Sequence, residues 1–321
     1  MLSISEERKL FREARAIARR FRHHPGVTDI ELGLKHTGGK LTGQWALRFR
    51  VEVKKPESRL TRHEILPDKT GRLVTDVLPA VTDRQQALSE DPQGMVRPLL
   101  GGLRIQSGLY QDTSNSWGTL GCFYPLNGQL LGWSSYHVLF GGAGESSVFQ
   151  HYAGKLAVYL NLNRPGNLIG TAAGLFSREL DYATIDPSVL VDPDQSLNPV
   201  SGLISACGYP RIGMAVIKAG AASGLTYGII DGRSCLHPAD LSICPDPAYE
   251  PSPGPLSAYG DSGSCWVQVL PGGSLKLIAL HFGGNEQPPL AKARAFVSIL
   301  ASGRALTVSQ SDSLIVFNKP Q

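Results

Sequence analysis

Cysteine is scarce in this chain of 321 residues, and so are the patterns that would give its few cysteines a structural task. The five that occur, Cys122, Cys207, Cys235, Cys244 and Cys265, are an odd number at wide spacings with no C-x-x-C pair. That argues against a disulfide framework and a cysteine zinc site, and it fits a reducing compartment. The eight histidines show no H-E-x-x-H or similar spacing, so no metal site is expected and no cofactor is implied. Also missing is any run of roughly 18 apolar residues, which a membrane-spanning helix needs. The opening "MLSISEERKLFREARAIARRF" carries charges where a signal peptide needs its apolar stretch. A soluble, cytoplasmic protein is the expectation.

What is present points to a packed molecule. Hydrophobic residues make up 42% and charged residues 18%, enough apolar surface to rule out global disorder. The net charge of +4 is concentrated at the start, where residues 1–24 hold seven basic side chains and three acidic ones. The remainder is neutral, so an electrostatic partner would meet the N-terminal segment. The ordinary reading of that segment is a solvated helix face, and a regulatory or inhibitory partner is the next. Nucleic acid is disfavoured, because only Phe11 and Phe21 interleave as aromatics and no reader motif is present.

Along the chain, Ser3-x-x-Glu6 can form a capping box, and Leu10, Ala14, Ile17 or Ala18, and Phe21 recur at helical spacing up to Pro25-Gly26. The segment "VTDIELGLKHTGGKLTGQWALRFRVEVKK" alternates apolar and polar residues around Gly38-Gly39, as a long β-hairpin does. "RLVTDVLPAV" adds a third strand. Residues 1–82 thus read as an α+β unit, helix plus β-hairpin, with a polar linker over 83–98. From 99 to 321 short apolar strands alternate with Gly, Pro, Asn and Ser, which indicates an all-β barrel or sandwich. The proline-rich "LHPADLSICPDPAYEPSPGPLSAYG" reads as a loop that excludes a central strand, and "AKARAFVSILASGRAL" as a helix.

The loop leads into Gly260-Asp261-Ser262-Gly263. A serine hydroxyl is a poor nucleophile at neutral pH; it needs a histidine to take its proton and a carboxylate to hold that histidine in one tautomer. Backbone N–H groups must also face the developing oxyanion, which favours glycine beside the nucleophile. The candidate base is His137, placed by the Asn127-Gly128 hairpin signal at the far end of the second hairpin strand. Asp181, at the start of "DYATID", is the candidate carboxylate, with Asp186 a nearby rival; His151 is an alternative base without supporting context. The order His137, Asp181, Ser262 differs from two of the three orders known for such triads.

"SSYHVL", "LDYATI" and "GDSGSCWV…LIALHFGG" resemble the three catalytic blocks of chymotrypsin-fold (trypsin-like) serine proteases. "GTLGCF" and "VIKAGAASGLTYGII" are similar to motifs of an intracellular group that includes bacterial and plant narrow-leaf-type proteases. The resemblance implies a mainly β, two-barrel protease fold over 99–321 and an intracellular serine endopeptidase acting on protein substrates. Ser262 would be its nucleophile, His137 the base, Asp181 the orienting group, and the N–H groups of Gly260 and Ser262 the oxyanion hole. Relatives usually carry Arg-Thr-Thr where this chain has Ala221-Ala222-Ser223. Secreted relatives bridge the position of Cys122 to that of Val138, which is no cysteine here.

Substrate selection and activation follow from the same resemblance. An acidic residue six before the nucleophile selects Arg or Lys; that position is Leu256, which removes tryptic preference. His281, in "LIALHFGGN", resembles a histidine that receives glutamate or glutamine side chains in glutamyl endopeptidases and picornain-like proteases. "MVRPLLGGLRI" looks like a zymogen cleavage segment, but Pro98 after Arg97 resists that cut. A catalytically silent scaffold of the same fold is the alternative function.

Overall fold

The computed structural model describes residues 2–38, 40–80, 99–110, 116–126, 128–189, 204, 206–249, 255–271, 273–285, 289–302 and 314–315. The linker over 83–98 with Arg97-Pro98, and Gly39, Asn127 and residues 250–254, lie outside them. Helix α1 (Ile4–Phe21) starts on the expected capping box: the Ser3 hydroxyl accepts from the Glu6 N–H, and the Glu6 carboxylate accepts from the Ser3 N–H. Its buried face, Leu10, Ala14 and Ala18, covers Ile30 and Leu32 of β1 (Val27–Thr37) and Leu47 and Phe49 of β2 (Lys40–Val51). β1 and β2 form the antiparallel hairpin; a short β3 (Lys69–Thr70) precedes β4 (Leu73–Pro79), the third strand, which runs parallel to β2.

Two further β layers carry the rest. The first contains β5 (Leu103–Ser107), β6 (Gly118–Leu120), β7 (Cys122–Leu126), β8 (Gln129–Ser134), β9 (Ala157–Leu160), β10 (Leu168–Ser177) and β11 (Tyr182–Pro187), with the short helices α2 (Tyr136–Phe140) and α3 (Glu145–His151). β6 and β7 end the sheet at opposite edges yet are joined by Gly121 alone, so the sheet curls on itself. The second contains β12 (Ala206–Gly208), β13 (Ala215–Gly220), β14 (Gly224–Ser234), β15 (Asp240–Pro245), β16 (Cys265–Val269), β17 (Leu275–Asn285) and β18 (Leu290–Ala295), followed by α4 (Phe296–Ala301). The order β13-β16-β17-β18-β15-β14 closes through a β13–β14 pairing. The chain is mainly β, with a two-barrel chymotrypsin-like architecture behind an N-terminal helix.

Two sequence expectations need correction. Asp240–Pro245, assigned to a loop, is a strand paired on both sides, with β14 and with β18. Its prolines bracket the strand instead of interrupting it: Pro238 precedes it and Pro245 is its last residue, so no interior ladder N–H is lost. The segment read as one helix from Ala291 is strand up to Ala295 and helix only from Phe296, because its alternating small residues fit the barrel wall.

The barrels meet on an apolar layer in which Trp133 and Tyr124 of the first pack edge-on against Phe296 of α4. The N-terminal sheet joins the second barrel directly, since Glu31–Gly33 of β1 pairs with Gly232–Ser234 of β14. Across this seam lies a buried ionic network. Arg48 donates to Asp231 at 2.7 Å and Glu31 at 2.6 Å, and Glu31 also accepts from Arg50 at 3.1 Å and Lys292 at 2.6 Å. The Arg48 guanidinium lies over the facing pair Gly33 and Gly232, and a Cβ at either would collide with it. Glycine is required there for room.

Candidate functional site

His137 stands one element further on than the sequence suggested. β8 ends at Ser134, and His137 lies in the single turn of α2. The turn is held by its base: the Ser134 hydroxyl donates to the Thr119 carbonyl at 2.8 Å, and the Ser135 hydroxyl to the His281 carbonyl at 3.2 Å. Tyr136, Val138, Leu139 and Phe140 are buried around it, which leaves the His137 side chain 44% exposed on an otherwise fixed support.

Asp181 enters from the turn before β11 and grips His137 three times. Its Oδ1 accepts from the His137 backbone N–H at 3.0 Å, and its oxygens lie 2.8 Å and 3.0 Å from Nδ1. The backbone is left-handed here, φ 49°, a conformation that aspartate tolerates better than most side chains and that aims the carboxylate at α2. The fully buried strand Tyr182–Ile185 anchors it. Asp186 is exposed and pairs within the β10 ladder, and His151 ends α3; neither shows contact with His137.

The loop of Ser262 reaches the same place from the second barrel. The Thr119 N–H donates to the Ser262 carbonyl at 2.8 Å, and the Gly263 N–H to the His281 carbonyl at 2.9 Å. A Cβ at Gly263 would run into Ser134 and Ser135, so the residue after Ser262 packs directly beneath the start of α2. Gly260 and Gly263 both have φ near the left-handed range, 98° and 93°. The Ser262 side chain is nearly buried, and its hydroxyl approaches the Phe282 carbonyl at 3.4 Å.

Sequence reasoning missed the group that sets this loop. Asp261, fully buried, accepts from Lys218 Nζ at 2.8 Å, from the Ser223 hydroxyl at 2.6 Å, and from the N–H groups of Ala222, Ser223 and Ala258. Burial, the largest single effect, raises this carboxyl, but the Lys218 charge and the hydrogen bonds from Lys218 and Ser223 together outweigh it and hold the pKa at about 2. The cation comes from within the barrel, on β13. Nothing local marks Lys218, since its partner is 43 positions away.

A second missed residue is Trp117. Its indole lies against Gly260, with Tyr259 edge-on at 5.9 Å and the Arg104 guanidinium 4.3 Å over its ring. A Cβ at Gly260 would overlap the indole. Gly260→Ala is therefore expected to cost about 2 kcal/mol or more through left-handed strain and collision. Chemical denaturation measures it, and adding Trp117→Ala should return the collision part alone.

His281 is fully buried, and its ring does not reach solvent. Trp266 Nε1–H donates to its Nδ1 at 3.3 Å, and Nε2 lies 2.9 Å from the Ser257 hydroxyl. Because indole only donates, the imidazole proton is assigned to Nε2, pointing at Ser257. Burial first, then the Lys218 charge, push the His281 pKa down to about 3, so the ring is neutral. Leu256 is buried beside Ser257, and the Ser257 hydroxyl packs against Gly284. Cys122 and Cys265 are buried thiols 3.1 Å apart, one from each barrel, and all five cysteines are free. Among the described residues no group of metal-ligating side chains occurs, and no helix is long and apolar enough to cross a membrane.

No family model matches the chain, and no curated protein matches it. Solved structures similar to it include a glutamic acid specific serine protease described as using a histidine triad in substrate binding, at 15% identity and TM-score 0.42, covering 68% of this chain and 100% of that one. Thermobifida fusca Protease A matches at 14% identity and TM-score 0.37, over 64% of this chain and 95% of that one. A chymotrypsin from Cellulomonas bogoriensis matches at 17% identity and TM-score 0.37, over 64% and 94%. The fold assignment stands on the strand order itself.

Proposed function

We propose that the chain is an intracellular serine endopeptidase. The observation that carries this reading is the grip of Asp181 on both the backbone N–H and the Nδ1 of His137, made beside the loop that presents Ser262. With Nδ1–H held by the carboxylate, Nε2 is the free base of the imidazole. Ser262 attacks the scissile carbonyl while His137 takes its proton, and His137 then returns the proton to the leaving amine. Asp181 fixes the tautomer and stabilises the imidazolium. The N–H groups of Gly260 and Ser262 receive the oxyanion; the neighbouring N–H groups of Asp261, Gly263 and Ser264 are committed to protein carbonyls, and the positive φ of Gly260 turns its own peptide. Loss of fluorophosphonate labelling in Ser262→Ala tests the assignment.

Protein substrates enter with a specificity wall of Leu256, Ser257 and the strand Phe282–Gly284. Leu256 offers no carboxylate to a basic side chain. His281 acts through Ser257: its Nε2–H bonds to the Ser257 oxygen, which frees that hydroxyl's proton for an acceptor on the substrate. The reading is a preference for glutamate or glutamine at P1. Profiling with a peptide library should show these two leading and Arg or Lys depleted; leading Arg, Lys or aromatic residues would overturn the wall assignment and leave the triad intact.

Residues 1–82 serve as a regulatory or recruiting unit, joined through 83–98 to the protease unit 99–321. The β1–β14 pairing supports an attachment that acts on the second barrel, and the exposed Lys9, Arg12, Arg19 and Arg20 on α1 offer a face to an acidic regulatory partner. Five unbridged cysteines support a reducing, cytoplasmic setting.

A further inference from the structure

The seam between the N-terminal sheet and the second barrel borders a pocket of about 780 Å³, open to solvent on one side and within the usual size of a small-molecule site. It lies apart from His137, Asp181 and Ser262, none of which lines it. One wall is apolar, made by Leu41 and Leu78 from the N-terminal sheet and by Pro245, Pro247 and Leu290 from the barrel. The floor is charged. Asp231, fully buried, meets the cavity where His36 Nε2 approaches it at 2.9 Å, and Arg50 reaches the same space with only 5% of its surface exposed.

The balance of charge around this space selects the sign of an occupant. Both lining carboxylates are already engaged: Asp231 by Arg48 and His36, and Asp76 by the His36 backbone N–H at 2.8 Å. The rim adds Lys40 and Lys54, and neither forms an ion pair with a carboxylate among the described residues. Arg50 already donates Nε to Glu31 and Nη1 to the Pro79 carbonyl, so the uncompensated charge is that of Lys40, at the start of β2, and Lys54, beyond its end. Two ammonium groups beside that guanidinium match a group that spreads two or more negative charges over several oxygens. A phosphate does this; a single carboxylate does not. A seam that served only for attachment would gain more from apolar packing than from burying Arg48, Glu31 and Asp231.

We propose that this cavity binds a small phosphorylated molecule, its phosphates held at Lys40, Lys54 and Arg50 and its body laid on the Leu78 and Pro245 wall. The site is independent of the protease reading, because it uses none of the proposed catalytic residues. Calorimetric titration of the full chain carrying Ser262→Ala, with pyrophosphate and with ATP as probes, tests it. Saturable binding is expected for both, tighter for ATP, whose base can use the apolar wall. The double variant Lys40→Glu with Lys54→Glu, both exposed and without a described side-chain hydrogen bond or ion pair, should keep its thermal midpoint and lose about tenfold or more in affinity for both probes. Reversal of two charges elsewhere, Lys9→Glu with Arg12→Glu on α1, should leave affinity unchanged. Absence of saturable binding by either probe overturns the proposal. So does binding that survives the rim reversal, or that falls equally in the α1 reversal.

Discussion

Replacing Ser262 by alanine is expected to abolish fluorophosphonate labelling and to lower kcat/KM on a protein substrate by about a millionfold, the scale on which a serine nucleophile and its histidine fail together. His137→Ala should match it, because neither group works without the other. Asp181→Asn should keep the geometry yet lose about 10⁴-fold, since the amide can hold the imidazole in the wrong tautomer. The ranking is the informative part. The fixed support beneath α2 predicts that Asp181→Asn leaves the thermal midpoint close to that of the parent chain, so its loss would be chemical and not structural. A Ser262→Ala chain that labels as well as the parent removes the enzymatic reading altogether.

Lys218→Met is expected to destabilise the fold by about 3 to 5 kcal/mol, because it strands the Asp261 carboxylate in a fully buried position without its counter-ion. The same change should disorder the loop that presents Ser262 and suppress labelling. Lys218→Met with Asp261→Asn should regain most of the stability, since the double change removes the uncompensated charge. Acid titration supplies a second readout. The folded pKa of Asp261, about 2, lies below its ordinary 3.8, so its contribution is present above about pH 4 and is lost as pH falls toward 2. A shift of that size on a buried group corresponds to about 2 kcal/mol. In Lys218→Met that acid-side loss should disappear. Full stability and normal labelling in Lys218→Met would show that the loop is set by other contacts.

The three residues proposed as a triad could be singled out in the sequence because each sits in a short block whose residue types such chemistry demands. Gly260 and Gly263 flank Ser262 since the loop needs left-handed backbone, and Asp181 precedes an apolar run that anchors it. The N-terminal helix and hairpin were legible for a similar reason: a capping box and strict periodicity are local. The strand Asp240–Pro245 was hidden by composition, because proline density marks a loop unless one knows that the prolines stand at the strand's ends. His137, expected at a strand end, lies in the helical turn that follows, since periodicity does not show where a strand yields to a single helical turn.

What the sequence by itself determined is therefore the set of short-range devices: the glycine-rich Ser262 loop, the blocks around His137 and Asp181, the capped helix and the two barrels' strand texture. Tertiary structure alone decided the rest. Lys218 reaches Asp261 across 43 positions, and Glu31 reaches Lys292 across 261. It also placed Trp117 over Gly260 and withdrew His281 behind Ser257. Such pairings leave no periodic trace, because a buried charge or ring needs only one partner in space and the chain can supply that partner from any strand the barrel brings alongside.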